Sequence, residues 1–387
     1  MIKRSFLIGL FALGLIGLTS EALADWSAAQ RITWTSGDSY DPAVAIDSND
    51  AVHVVWYEDT PGNDEIFYKN SPDGGTTWSA AQRLSWTTGY SWHPAIAIDS
   101  NDAIHVVWHD STPGDGNTEI YYKRSTDGGT TWGSAKRLSW TSGPSRSPAI
   151  ATGSSEAIHV VWYDTTPGNE EIYYKSSKDG GATWSYTKRL TWTSGRSYSP
   201  AIASSSSNRV HVVWTERTPD NAEIYYKQSD DGGTTWNTAR RRTWTSGSSY
   251  VPALSVDSAG TVHLVWYDET PGNFEIYYKG SDDGGATWTA ARRITWTADA
   301  SEEPTIAIDP SDNIYVAWDD DTPGLSEVYY KRSTDGGATW SAAQRLTWTS
   351  GWSGYPAMAA DSTGTIHIIW EDDTPDYNYE LYYKKGT

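Results

Sequence analysis

The sequence predicts an all-β fold, a seven-bladed β-propeller of four-stranded blades, and three observations carry that prediction. A Ser-x-Asp-Gly-Gly-x-Thr-Trp motif occurs six times, starting at Ser71, Ser125, Ser177, Ser229, Ser281 and Ser333. Its closing Trp, with Trp26 as the tail of a further copy, falls at 26, 78, 132, 184, 236, 288 and 340, a period of 52 with one interval of 54. Between motifs lie short alternating runs of β-branched and aromatic residues bounded by turn formers, and no window carries a helical period. A fixed period of this size marks a repeat architecture, and seven units of four short strands fit a closed propeller.

In chain order, the first segment reads as a targeting signal. Lys3 and Arg4 precede an apolar stretch from Phe6 to Leu18, and Ala22-Leu23-Ala24 supplies a small-residue cleavage site. Residues 1–24 are therefore expected to be a signal peptide and the product to be secreted or periplasmic. No other apolar run approaches a membrane span, so none is expected in the mature chain.

The repeat units are 26–77, 78–131, 132–183, 184–235, 236–287, 288–339 and 340–387, all within one domain, 25–387. In the first unit WSAAQRITW (26–34), PAVAID (42–47), VHVVWY (52–57) and EIFYKN (65–70) each read as a strand. The small apolar PAVAID-type segment suits the innermost strand A, where blades converge; VHVVWY is then B, EIFYKN is C and WSAAQRITW is the outer strand D. Because the chain begins with a D strand and ends with A, B and C, the N-terminal strand should complete the last blade and close the ring. Strand order puts the D–A and B–C loops on one face, the top, and the A–B loops and Ser-x-Asp-Gly-Gly turns on the bottom.

The repeated motif resembles the Asp-box of sialidases and other secreted β-propellers, and the resemblance extends through every repeat. It implies a structural turn between strands C and D, away from any active site. The chemistry agrees: Gly-Gly supplies positive φ, and the carboxylates of Asp73, Asp127, Asp179, Asp231, Asp283 and Asp335 are placed to accept backbone N–H groups within their turns.

Composition narrows the partners. A net charge of −20 argues against nucleic acid and anionic membranes. With no cysteine the fold is held by packing, for which 23 Trp and 25 Tyr against 4 Phe are the material. No cofactor is implied. A Glu on strand C and an Arg on strand D recur in every unit, which predicts an ion pair within each blade. A strand B His recurs in six units, without the Cys or second His at ligand spacing that a metal requires; His93 and His109 break the repeat and stand alone in the sequence. The acidic residues two beyond the strand B Trp (Glu58, Asp110, Asp164, Glu216, Asp268, Asp320 and Asp372) suit turn chemistry, and would hold calcium only if they converged.

Variable positions point to function, because a single asymmetric site needs residues that differ between blades. The D–A loops carry aromatics at Tyr40, Trp92, Tyr198, Tyr250 and Trp352, and their variable slots also hold Asp38, Asp41, Tyr90, His93, Pro144, Ser147, Ser199, Ser248, Val251, Asp299, Glu302, Glu303, Gly354 and Tyr355. Arg146, Arg196 and Arg217 form a non-repeating basic patch on blades three and four, opposite acidic residues on blades six and seven. These arginines and aromatics are the candidate ligand-binding residues; no catalytic or metal set is identified. The reading is a secreted, non-catalytic, multivalent binding protein for a glycan or an extracellular protein. The alternatives are a sialidase-like exo-glycosidase and a structural assembly protein. The family's enzymes carry an Arg-Ile-Pro motif and three arginines around the sugar carboxylate; Arg146-Ser147-Pro148 is only a weak echo, and near-identical units leave little room for a specialised constellation. Oligomeric state is left open.

Overall fold

The computed structural model describes residues 26–59, 62–112, 117–218, 221–270, 272–374 and 378–387. The segment read as a signal peptide lies outside them. Seven four-stranded antiparallel sheets form the ring, each built from strands consecutive in the chain except the last. In the first blade these are Ser39–Ile46 (A), Val52–Glu58 (B), Glu65–Ser71 (C) and Gln82–Arg83 (D). The seventh takes A, B and C from Ser353–Ala360, Ile366–Asp372 and Glu380–Gly386. Its D strand is Gln30–Arg31, antiparallel to Glu380–Gly386, so the N-terminal strand closes the ring.

Strand D is shorter than the nine-residue segment the sequence suggested. Only two residues pair, and the chain otherwise meets strand C at isolated points such as Ser79 N–H to Asn70 O (2.8 Å) and Leu84 N–H to Ile66 O (2.6 Å). The intervening Ala80 and Ala81 are exposed and have no apolar bulk to bury. The Arg and Glu that recur in every unit supplement this short ladder. Arg83 meets the fully buried Glu65 at 2.5 Å, Arg137 meets Glu119 at 2.6 Å, and Arg31 joins Glu380 across the closure at 2.5 Å.

The core lies between blades. Val55, Ile66, Tyr68 and Leu84 of the first blade pack on Ile104, Val106 and Trp108 of the second, and the same arrangement recurs around the ring. At the closure Ile32, Ile369 and Leu381 pack on Val52, Val54 and Trp56. The strand B Trp of all seven blades is at most 1 % exposed; burying each such side chain contributes about 2–3 kcal/mol.

The Asp-boxes join this scheme from below. Asp73 accepts Thr77 N–H and Ser71 Oγ–H on Oδ1 (2.7 and 2.8 Å) and Thr77 Oγ1–H on Oδ2 (2.7 Å). The bonds from Thr77 lead those that hold its carboxyl down to about 2. The second glycine of each box makes room for the strand C Tyr of the preceding blade: a Cβ on Gly129 would lie 2.0 Å from Tyr68 Oη. Trp132 meets the same Tyr68 edge-on at 4.9 Å. Tyr68 Oη in turn lies 2.7 Å from Nδ1 of the buried His53, whose Nε2 faces Asp47 at 3.3 Å. The repeated His is thus engaged inside its own blade, and burial pulls it below its ordinary pKa.

Candidate functional site

Every blade has a fully buried Ser at the beginning of strand A, from Ser39 to Ser353, preceded in the fourth blade by Arg196. In most blades it donates to the acidic residue at the end of strand B, as Ser91 does to Asp110 (2.7 Å) and Ser145 to Asp164 (2.6 Å). Asp110 Oδ1 also accepts Thr112 N–H at 2.7 Å. Among the described residues these carboxylates serve turns within their own blades, and no group of three or more His, Asp or Glu is arranged to hold a metal ion.

Two residues later the ladder breaks. The register shifts between Tyr40 and Ala43, and at the equivalent place in all seven blades. The bulge contains a proline, which has no N–H to pair. The residue before it takes positive φ: 48° at Asp41, His93, Ser147 and Ser199, 42° at Val251, 47° at Glu303 and 49° at Tyr355. Five of these, Asp41, His93, Ser147, Glu303 and Tyr355, together with prolines of the bulges, line a cavity of about 280 Å³. Since its walls come from six blades, it is the axial mouth of the ring on the top face.

Strand B supplies a second tier. The residue after its Trp pairs with the strand A residue just before the bulge: Tyr57 with Tyr40, His109 with Trp92, Tyr163 with Arg146, Thr215 with Tyr198, Tyr267 with Tyr250, Asp319 with Glu302 and Glu371 with Gly354. Three variable positions per blade therefore adjoin at the bulge, and the one before the proline reaches the axial cavity in five blades. The divergence between otherwise near-identical units is concentrated beside these bulges.

One arc of the mouth, from blades six, seven and one, is acidic. Burial, reinforced by Glu302 and Asp41, pushes Glu303 up to about 7. Burial and the charge of Glu303 push Asp319 well up, and burial and Asp41 do the same to Glu371, against the Asp41 N–H that Glu371 accepts at 2.6 Å. These carboxyls hold protons where ordinary ones do not. Tyr355, 44 % exposed, stands beside them and leans on Trp352 at 5.7 Å; burial and Glu303 push its phenol up.

The next arc is imidazole. His93 Nδ1 lies 2.6 Å from Asp41 Oδ2 across the boundary between blades one and two. Burial opposes its protonation, but the Asp41 carboxylate outweighs burial and its net direction is up. His93 also stacks on His109 at 5.1 Å, so these two do not stand alone as their sequence positions suggested. His109 is 3 % exposed with Nδ1 unpartnered, and burial, then His93 and Arg146, drive it well down. A raised imidazole on Asp41 thus faces a neutral one.

The other predicted residues divide. The charge of Arg146 reaches His93, His109 and Glu170. Arg196 is held by Glu170 through two bonds (2.6 and 2.5 Å) and lies over Tyr198 at 5.8 Å. Arg217 is its exposed register partner. Tyr40 packs between Tyr57 (5.3 Å) and Tyr379 (5.2 Å), Trp92 on Tyr90 (5.2 Å), Tyr250 on Tyr267 (5.7 Å), and Trp352 on Tyr355 and Tyr379 (both 5.7 Å). In the sequence the residues before proline stand out only as variable slots, and of the strand B tier only His109, Asp319 and Glu371 are distinguished, the first by breaking the repeat and the others by their charge. The available signal was a residue that varies inside an otherwise constant Ser-x-x-Pro.

A ring of repeated blades, with residues that do not repeat lining one axial mouth, defines a β-propeller with a uniform scaffold. The BNR repeat-like domain model matches residues 66–258, and the chain belongs to the Asp-box, or BNR-repeat, propellers. No curated protein matches the sequence. Among solved structures, the polysaccharide lyase Uly1 superposes with a TM-score of 0.62 at 12 % identity, over 89 % of each chain. A protein of unknown function from Dyadobacter fermentans gives 0.59 at 16 % identity, over 78 % of this chain and 96 % of that one. The intramolecular trans-sialidase from Ruminococcus gnavus gives 0.54 at 13 % identity, over 92 % and 97 %. At such identities the likeness is one of fold.

Proposed function

We propose that this is an exported glycan-recognition propeller whose ligand seats in the axial mouth. The carrying observation is the convergence of the variable residue before the bulge proline, from five blades, on one small cavity, where the raised carboxyl of Glu303, the Asp41–His93 pair and the exposed Tyr355 stand side by side. Hydroxyl groups of a sugar both donate and accept, and a carboxyl near its midpoint at neutral pH meets either demand. Tyr355 offers a flat face to a sugar ring. None of the three arginines lines the cavity, and Arg196 is committed to Glu170, so no guanidinium fork meets a carboxylated sugar there. The reading is therefore a neutral saccharide. The lyase and the trans-sialidase among its structural neighbours act, by name, on carbohydrate, which supports the ligand class.

The test is a glycan array probed with the mature chain and with Glu303→Gln, His93→Ala and Tyr355→Ala variants. A coherent class of neutral glycans on the array, lost by at least tenfold in the variants, is the expected result. A blank array, or binding indifferent to all three substitutions, overturns the proposal.

One observation favours a second reading, an exo-acting glycosidase at the same mouth. Glu303 carries a proton near pH 7, as a general acid must, with a second carboxylate, Asp41, among the groups that raise it. Release of reducing sugar from an array-positive glycan, abolished by Glu303→Gln, would establish it; an intact glycan after prolonged incubation leaves the binding protein.

A further inference from the structure

The outer part of the same face repeats one feature seven times. The Trp that follows each outer strand, from Trp34 to Trp348, is 64–68 % exposed in every blade. Single surface tryptophans are ordinary, but a ring of equivalent ones is a patterned surface. Each indole is held rather than loose. Arg189 and Lys227 lie 5.7 and 5.5 Å from the ring of Trp192, and Arg345 and Lys384 lie 5.7 and 5.5 Å from that of Trp348. These cations belong to the framework. Arg189 meets Glu171 at 2.8 Å, and Lys227, 9 % exposed, donates to Leu190 O at 2.7 Å. An indole backed by fixed, mostly buried cations and left two-thirds open presents its other face outward.

Beside two of these rings the structure has a groove between blades, about 380 Å³ at Trp192 and about 550 Å³ at Trp348. Both are the same groove in different blades: Thr193, Tyr225 and Lys227 in one take the places of Thr349, Tyr382 and Lys384 in the other. Each combines an open indole face with a threonine hydroxyl and a tyrosine phenol. A flat aromatic face with polar groups at its margin matches a pyranose whose C–H groups form an apolar face and whose hydroxyls are equatorial.

We propose that the inter-blade grooves form a repeated saccharide-binding array, distinct from the axial mouth, in which each exposed Trp stacks on one pyranose of a β-linked, gluco-configured chain. A single open groove of this kind binds weakly. Several on one rigid ring bind a polymer tightly, because each further engagement is intramolecular, a gain of about 10²-fold or more. The array does not depend on the axial reading: it uses positions that repeat, whereas the mouth uses positions that do not.

Native affinity electrophoresis tests it, with the mature chain run in gels with and without hydroxyethyl cellulose or glycol chitin. The expected result is retardation by at least one polymer. Trp192→Ala with Trp348→Ala weakens it severalfold, the same change at all seven positions abolishes it, and Trp→Phe at the same places largely retains it. Absence of retardation on both polymers, retardation insensitive to the Ala variants, or retardation lost in Glu303→Gln alone overturns the array; the last outcome would leave the axial site standing. Sedimentation velocity supplies the remaining control, since Trp-dependent self-association in place of polymer binding also overturns it.

Discussion

Glu303 occupies a backbone position, φ 47°, that side chains other than glycine seldom take, and it shares that position with six different partners around the ring. Even the β-branched Val251 adopts it, at 42°. Such conformations cost about 1–3 kcal/mol each and persist only where the surroundings over-determine them. Here the buried Ser two residues before, the bulge and the proline after fix the backbone, so the side chain is free to vary. That freedom puts acid, imidazole, hydroxyl and phenol at one axis. For Glu303 the consequence is measurable. Its folded-state pKa of about 7 lies above the ordinary 4.5. Below pH 4.5 both states are protonated and nothing is lost; between about 4.5 and 7 the unfolded state has ionised while the folded state still holds its proton, so stability falls across that window and levels off above it. Glu303→Gln is expected to stabilise the protein by about 2–3 kcal/mol at pH 8 and hardly at all at pH 4. Urea unfolding at the two pH values checks this, and an equal gain at both would mean that burial does not govern the group.

At the scale of the element, the Asp-box is a turn that also docks one blade on the next. The two glycines of the second blade's box separate these roles. Both have positive φ, 67° at Gly128 and 84° at Gly129, but a Cβ on Gly128 meets nothing within 4 Å, whereas one on Gly129 falls 2.0 Å from Tyr68 Oη. Tyr68 cannot easily retreat, being held by His53 at 2.7 Å and Trp132 at 4.9 Å. Gly128→Ala should therefore cost about 1 kcal/mol from backbone strain, and Gly129→Ala about 2–4 kcal/mol from strain and overpacking together. Equal losses in urea unfolding would deny the inter-blade role. The Asp-box and the four strands were legible in the sequence because each depends on local spacing repeated many times. The pairing of His93 with His109 was not, since it arises from the Trp92–His109 register and the bulge beside it. The exposure of Trp34 was not legible either. Trp56 is the same residue type at 0 % exposure against 67 % for Trp34, and only the direction in which each strand faces separates them.

Over the whole molecule, stability is a sum of neighbour contacts, each blade burying the Trp of one side against the strands of the other. In an open row of seven blades there are six such interfaces; closure makes the seventh and covers the two end faces. The short N-terminal segment completes that last blade. It brings Ile32, buried with Val52, Trp56 and Leu381. It brings Arg31, paired with a Glu380 that is 0 % exposed. It also brings Trp26, edge-on to Tyr330 at 5.0 Å. A chain starting at Gly37 keeps every other strand but leaves Glu380 buried without its cation and the edge Glu380–Gly386 unpaired. Losing these contacts is expected to lower the melting temperature by roughly 10 °C or more and to promote association through the open edge. A synthetic peptide spanning residues 26–36 should restore much of the loss by adding back the missing strand. Calorimetry of the truncated chain, alone and with the peptide, distinguishes the outcomes. An unchanged melting temperature would show that the clasp is dispensable, and a loss the peptide cannot repair would place its effect in folding rather than in the finished ring.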